Sequence, residues 1–204
     1  MNWILEQDVR KLAVAGGREA APRGRGQHPR VGSHGHGLAR QFIVGRLQQL
    51  GLEPYADQSY ELPYEVEGQS FVNIVAKLPG SDTGALPILI GAHYDTCGPH
   101  PGADDNAAAV SAALHAAELL ASVPPARTVV FAFFDAEEPK HFLTDSMGST
   151  RFYEDQSSHE FACAIVLDLV GHQVPVPGLG DAVFVLGAES DPSLEDVVRH
   201  ADST

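Results

Sequence analysis

Between Gly91 and Asn106 the chain reads GAHYDTCGPHPGADDN. The stretch opens on a His-x-Asp pair, His93 and Asp95. It closes on two adjacent carboxylates, Asp104 and Asp105, at the mouth of an alanine-rich run. Two more acidic groups lie downstream. Glu137 and Glu138 end the cluster DAEE after the apolar run VVFAFF, and Asp168 ends FACAIVLD. An imidazole and several carboxylates, if brought together, suit a borderline-soft divalent cation such as zinc. Taken singly, these residues have plainer uses. A His beside a strand is usually a satisfied polar group, and Asp104, Asp105 or Asn106 is a good helix N-cap. Glu137–Glu138 alone would read as a solvated helix or loop start.

The elements around them favour the joint reading. LPILI (86–90) reads as a short buried strand leading into the ligand-rich loop. DNAAAVSAALHAAELLASV (105–123) reads as a helix by its alanine and leucine content, with His115 packed or at its surface. RTVVFAFFD (127–135) is the nearly continuous apolar run of a strand buried on both faces, and FACAIVLDLVG (161–171) reads as another buried strand. Three strands and one helix head therefore carry acids or His to one sheet edge. A buried strand normally avoids unpaired charge, which costs several kcal/mol. Carboxylates gathered there repel one another unless cations sit among them.

Other segments fill in the architecture. Residues 3–15 have helical spacing at Ile4, Leu5, Val9 and Leu12. AGGREAAPRGRGQHPRVGSHGHG (15–37) reads as a loop, with His34 and His36 an incidental pair. A helical stripe resumes near Leu38 through Phe42, Ile43 and Leu47, with Gly51 as its stop. DQSYELPYEVEG and QSFVNIVAKLPG alternate like a β-hairpin turning at Glu67–Gly68. A further helix begins near Met147, DAVFVLG (181–187) adds a strand, and residues 190–204 open a last helix. The expected fold is an α/β/α sandwich on a mixed, mostly parallel sheet. Residues 1–35 form an N-terminal helix and loop, and 36–204 form the catalytic domain.

Composition bounds the function. The chain has 204 residues, is 44% hydrophobic and carries a formal net charge of -14. That balance disfavours nucleic acid and anionic membrane surfaces as partners. Acid concentrates where the candidate chemistry lies: residues 1–50 have a net charge of +5 and the rest -19. Two cysteines, Cys97 and Cys163, make no disulfide framework, and Cys97 lacks the paired spacing of cysteine metal sites. Nothing reaches the ~18 apolar residues of a membrane span, and the N-terminus has no signal-like apolar core. The expected home is cytoplasmic.

Together HYD, GADDNAA, FFDAEE and VLDLVG resemble the di-zinc aminopeptidase family, which includes bacterial leucyl aminopeptidases and glutamate carboxypeptidases, with the glutaminyl cyclases as an offshoot. The resemblance runs from about Leu38 onward. It implies that His93 ligates one zinc, that Asp95 orients His93, and that Asp105 bridges both metals. It implies Glu138 as a ligand of the other zinc, Asp168 as a second ligand of the zinc held by His93, and Glu137 as general base. It also implies a cis peptide after Asp105.

The implied activity is a zinc exopeptidase of aminopeptidase type acting on a peptide or N-terminal amino acid. The longer stretch PKHFLTDSM before Gly148–Ser149, and DLVG, resemble the cyclase branch, whereas GADDN resembles the peptidase branch. The family draws one more zinc ligand, a His, from well beyond the last Asp. Neither His172 nor His200 sits in a matching motif. The expectation is therefore a chain incomplete at its C-terminus, with the His93 site whole, the Glu138 site one ligand short, and one zinc rather than two. A zinc-dependent cyclase and a degenerate binding module are the alternatives.

Overall fold

A computed structural model describes residues 3–14, 31–56, 58–97, 100–156, 160–172 and 196. Met1–Gly171 form one compact unit and His172–Thr204 a second, and every element below belongs to the first. The expected strand at 181–187 and helix at 190–204 lie outside the described residues, apart from Asp196.

The centre of the sheet is β5 (Val129–Phe134), buried at every position. Its side chains alternate between faces, so Val129, Phe131 and Phe133 meet one layer and Val130, Ala132 and Phe134 the other. The antiparallel strand β3 (Gln69–Leu78) lies on one side of β5. On the other side β4 (Ile88–His93) runs parallel to it, and β6 (Cys163–Val166) runs parallel to β4. The far edge of β3 is shared by β1 (Glu53–Pro54) and β2 (Glu61–Val66), both antiparallel. The sheet is thus mixed, and parallel in the part that carries the candidate ligands. Glu67 and Gly68 join β2 to β3 with φ of 52° and 76°, the backbone of a tight two-residue hairpin.

Helices cover both faces. Leu12 of α1 (Trp3–Val14), Ile43 and Leu47 of α2 (His34–Gln49), and Val110 and Leu114 of α3 (Ala109–Ser122) pack against Ile74, Phe131 and Phe133. Phe152 of α4 (Gly148–Asp155) packs against Val75, Leu89, Val130 and Phe134 on the opposite face. This is the three-layer α/β/α arrangement expected from the sequence. The stop at Gly51 is also as expected: its φ is 72°, and the Leu52 amide donates back to the Leu47 carbonyl. Among the described residues no helix is long and apolar enough to cross a membrane.

Three expectations are corrected. α2 starts at His34, not near Leu38, because the Ser33 side chain accepts the His36 amide and caps the first turn. The pair His34 and His36 is therefore helical, and His36 is buried. The alanine-rich helix is broken at its head: Ala103–Ala108 form a wide, irregular turn with Asp105 and Asn106 outside helical φ/ψ, and α3 begins only at Ala109. β6 is not buried, since Ala164, Ile165 and Val166 are exposed on the strand at the edge of the described sheet.

Phe131 is fully buried against helices of one layer, so Phe131→Ala should cost about 3–5 kcal/mol. Urea denaturation measures this, and a loss below about 1 kcal/mol would contradict the packing described.

Candidate metal centre

His93 ends β4, and only 4% of its side chain is exposed. Two residues on, the Asp95 carboxylate is fully buried. One of its oxygens lies 3.4 Å from His93 Nδ1. The same carboxylate accepts the amides of Glu137 at 3.0 Å and Glu138 at 3.2 Å. One buried anion thus ties the exits of β4 and β5 together. The chain turns out of β5 through Ala136, buried with φ of 57°. A left-handed non-glycine residue costs of order 1 kcal/mol, and here it swings Glu137 and Glu138 toward His93.

Asp105 arrives from the irregular turn. Gly102 opens that turn at φ 64°, where an added Cβ would run into the Thr96 side chain. The Asp105–Asn106 peptide is cis. The neighbours of Asp105 point elsewhere. Asp104 accepts the Gly171 amide at 2.7 Å, and the buried Asn106 donates to the Leu167 carbonyl at 3.1 Å. Both grip the segment that comes after β6 and carries Asp168. The Leu167 amide also donates to the Gly91 carbonyl at 2.8 Å.

The result is a cluster drawn from several elements. His93 Nε2 lies 3.0 Å from Asp105, 3.6 Å from Asp168 and 3.7 Å from Glu137. Ligand atoms of His93, Asp105 and Asp168 all fall within 4.8 Å of one another. Neither ring nitrogen of His93 has an aligned hydrogen-bond partner, although both are buried. An orphaned imidazole facing oxygen donors fits a divalent cation, to which neutral His and carboxylates are suited.

Glu138 stays outside that group, and its carbonyl accepts the amides of His141 and Phe142, which start the next loop. Cys97 and His172 are exposed, and neither joins a ligand group among the described residues. His200 lies outside the described residues. Sequence reasoning missed His36, Asp104 and Asp135 as supports of this centre. The only available signal for the first was Ser33, three residues before it.

The electrostatics agree with the geometry. Burial would lower the His93 pKa, but the carboxylates of Asp105, Asp168 and Asp95 outweigh it and push it up to about 12. Burial and then the neighbouring Asp105 and Asp95 push Glu138 up to about 7. Burial raises Glu137 as well, helped by Asp168, Asp95 and Asp105 against the pull of His93. The imidazole is driven to stay positive and the glutamates are driven toward neutrality. Both are the response of crowded anions to a shortage of positive charge.

Comparison with known proteins points the same way. Residues 73–203 match peptidase family M28. A probable zinc metalloprotease of Pyrenophora teres f. teres is 28% identical over 195 residues, covering 87% of this chain and 40% of that protein. The chain spans 36% to 43% of the length of the first curated relatives it matches. Among solved structures, an Acidobacteriales bacterium glutaminyl cyclase superposes with a TM-score of 0.66 at 18% identity, over 83% of this chain and 58% of that one. A leucine aminopeptidase precursor from Bacteroides thetaiotaomicron does so at 0.60 and 19%, over 82% and 61%. These likenesses share the fold.

Two predictions arise from the cluster. For Glu138 the folded pKa of about 7 exceeds the ordinary value, so the folded state binds more protons and stability falls as pH rises from about 4.5 to 7. For His93 the folded pKa is also raised, so its stabilising contribution is complete below about 6.5 and is lost as pH rises toward 12. With chelator present, the melting temperature should therefore fall from pH 5 to pH 9, and a divalent cation should remove the fall. A melting temperature that climbs over that range in chelator would refute the assignment. Second, Gly171→Ala would set its Cβ 2.6 Å from that of Ala108 and displace the Asp168 segment. Cation affinity, read by chelator competition, should drop about 10-fold.

Proposed function

The chain belongs to peptidase family M28, and from that membership we propose that it is a zinc-dependent peptidase of aminopeptidase type. His93, Asp105 and Asp168 would hold one zinc, and Asp105 and Glu138 would contribute to a second. When bound, the metal polarises a carbonyl and lowers the pKa of a water. Glu137 is the general base. It takes a proton from the attacking water and passes it to the leaving amine, so the C–N bond breaks and an acid and an amine are released. Its raised pKa suits both halves of that transfer, because the ideal catalytic group titrates near working pH.

The observation that carries this reading is the buried, orphaned His93 with Asp105, Asp168 and Glu137 within 3.7 Å. Asp95 does not touch substrate in this scheme. It holds the His93 ring and the Glu137–Glu138 amides in one frame. The acidic surroundings of Asp104, Asp105, Glu138 and Asp168 suit a substrate with a free ammonium terminus. A second reading, zinc-dependent cyclisation of N-terminal Gln with release of ammonia, is favoured by the stretch between Glu138 and Gly148. That stretch leaves from Glu138 and rims the same site.

Glu137→Gln should lower turnover of N-terminally free peptides by about 10²–10⁴-fold while leaving zinc content unchanged. Elemental analysis beside the rate assay checks both. Equal loss of zinc would make Glu137 a ligand rather than a base. Ammonia released from Gln-initiated peptides, with no peptide hydrolysis, would favour the cyclase reading.

A further inference from the structure

Behind the metal centre lies a second buried titratable pair that the reaction does not use. His36, in the first turn of α2, is 7% exposed and Asp135, just past β5, is fully buried. His36 Nε2 lies 2.8 Å from Asp135 Oδ1. The other carboxylate oxygen accepts the Val72 amide of β3 at 2.8 Å. The Asp135 amide donates to Asn73 Oδ1 at 3.0 Å, and Asn73 donates to the Gly148 carbonyl at the start of α4 at 2.8 Å. The Asp135 carbonyl in turn accepts the Gly148 amide at 2.8 Å. This pair therefore joins both helical layers to the sheet at the point where β5 ends.

The same imidazole has a second contact. It stacks on Tyr94, with ring centroids 4.9 Å apart and planes 7° from parallel. Tyr94 sits between His93 and Asp95, and its hydroxyl donates to the Val72 carbonyl at 2.7 Å. Asp135 sits two residues before Glu137. One ring thus touches the β4 exit through its face and the β5 exit through its edge. The β4–β5 ladder ends at His93 and Phe134, so packing around these exits must hold the two turns beyond it.

We propose that His36 and Asp135 are positioning residues for the centre: they set the spacing between His93 and Glu137 without touching substrate or metal. The inference rests on the function proposed above. Loss of the His36 donor would leave one oxygen of a buried carboxylate unpaired. The Asp135 backbone would then shift to recover a partner, taking the turn through Ala136 to Glu137 with it. Small offsets between a base and its target cost rate steeply. Supports of this kind typically change metal affinity by about 10–100-fold.

The test uses the full chain with two variants. His36→Gln keeps an N–H donor at a similar reach from the backbone. His36→Phe keeps a flat ring but donates nothing. Zinc affinity is read by competition with a chromophoric chelator, below the melting temperature of each variant, and kcat and KM are measured beside it. His36→Phe should weaken zinc binding about 10-fold and lower kcat with KM nearly unchanged, and His36→Gln should recover most of both. Unchanged zinc affinity and kcat in both folded variants overturn the inference alone. So does equal loss in both that simply tracks their melting temperatures. A wild-type chain that takes up no zinc overturns the functional reading, and this inference with it.

Discussion

Everything at the carboxyl edge of the sheet depends on how a buried imidazole and a crowd of carboxylates share too little positive charge. His93 is nearly sealed from water, yet the carboxylates around it hold it cationic against the cost of burial. Glu137 and Glu138 respond in the opposite sense and are held toward their neutral forms. Sequestering an unpaired ion is costly, and like charges within a few ångströms disfavour one another. A cation accepted by His93, Asp105 and Asp168 relieves both tensions at once. The chemistry of the donors and their arrangement therefore lead to the same conclusion.

The fold meets that constraint with few devices. A parallel trio of strands, β5-β4-β6, brings three exits side by side, since parallel strands end at the same edge. Such exits form the crevice where ligands bind in open α/β sheets. The exits are then fastened by polar side chains rather than by ladder pairing. Asp95 holds the Glu137–Glu138 amides, Asn106 and Asp104 hold the Asp168 segment, and Asp135 holds the β5 exit against β3 and α2. Each of these is a hydrogen bond to an anion or from a buried amide, stronger or costlier to lose than an exposed one.

Much of this was legible in the chain. VVFAFF could only be a strand covered on both faces, and Glu67–Gly68 between alternating runs marked a hairpin. The spacing of His93, Asp105 and Asp168, set after strands, marked a shared edge. The hidden features had physical reasons for being so. The start of α2 was obscured because HGHG has poor helix formers and no apolar stripe, so the cap at Ser33 was the sole signal. The break before Ala109 was hidden because alanine content reports helix preference and not the irregular backbone that aims Asp105. The β6 strand read as buried because CAIV is apolar, while its exposure depends on its neighbours in the sheet. The role of Asp135 was masked by its neighbours, since in DAEE the two glutamates drew the assignment.

The run from Gly102 to Asn106 has one more consequence. Three consecutive side chains leave it in three directions, two of them engaged with a segment more than sixty positions away. Such a run is a phase element: its length, not only its composition, carries information. One residue inserted or deleted would rotate all three bearings together, and no rotamer change could restore them. The stretch between Glu138 and Gly148 is under no such restriction, because it is anchored at its two ends and free to grow between them. Relatives of this chain should therefore differ in length at the second place and hardly ever at the first.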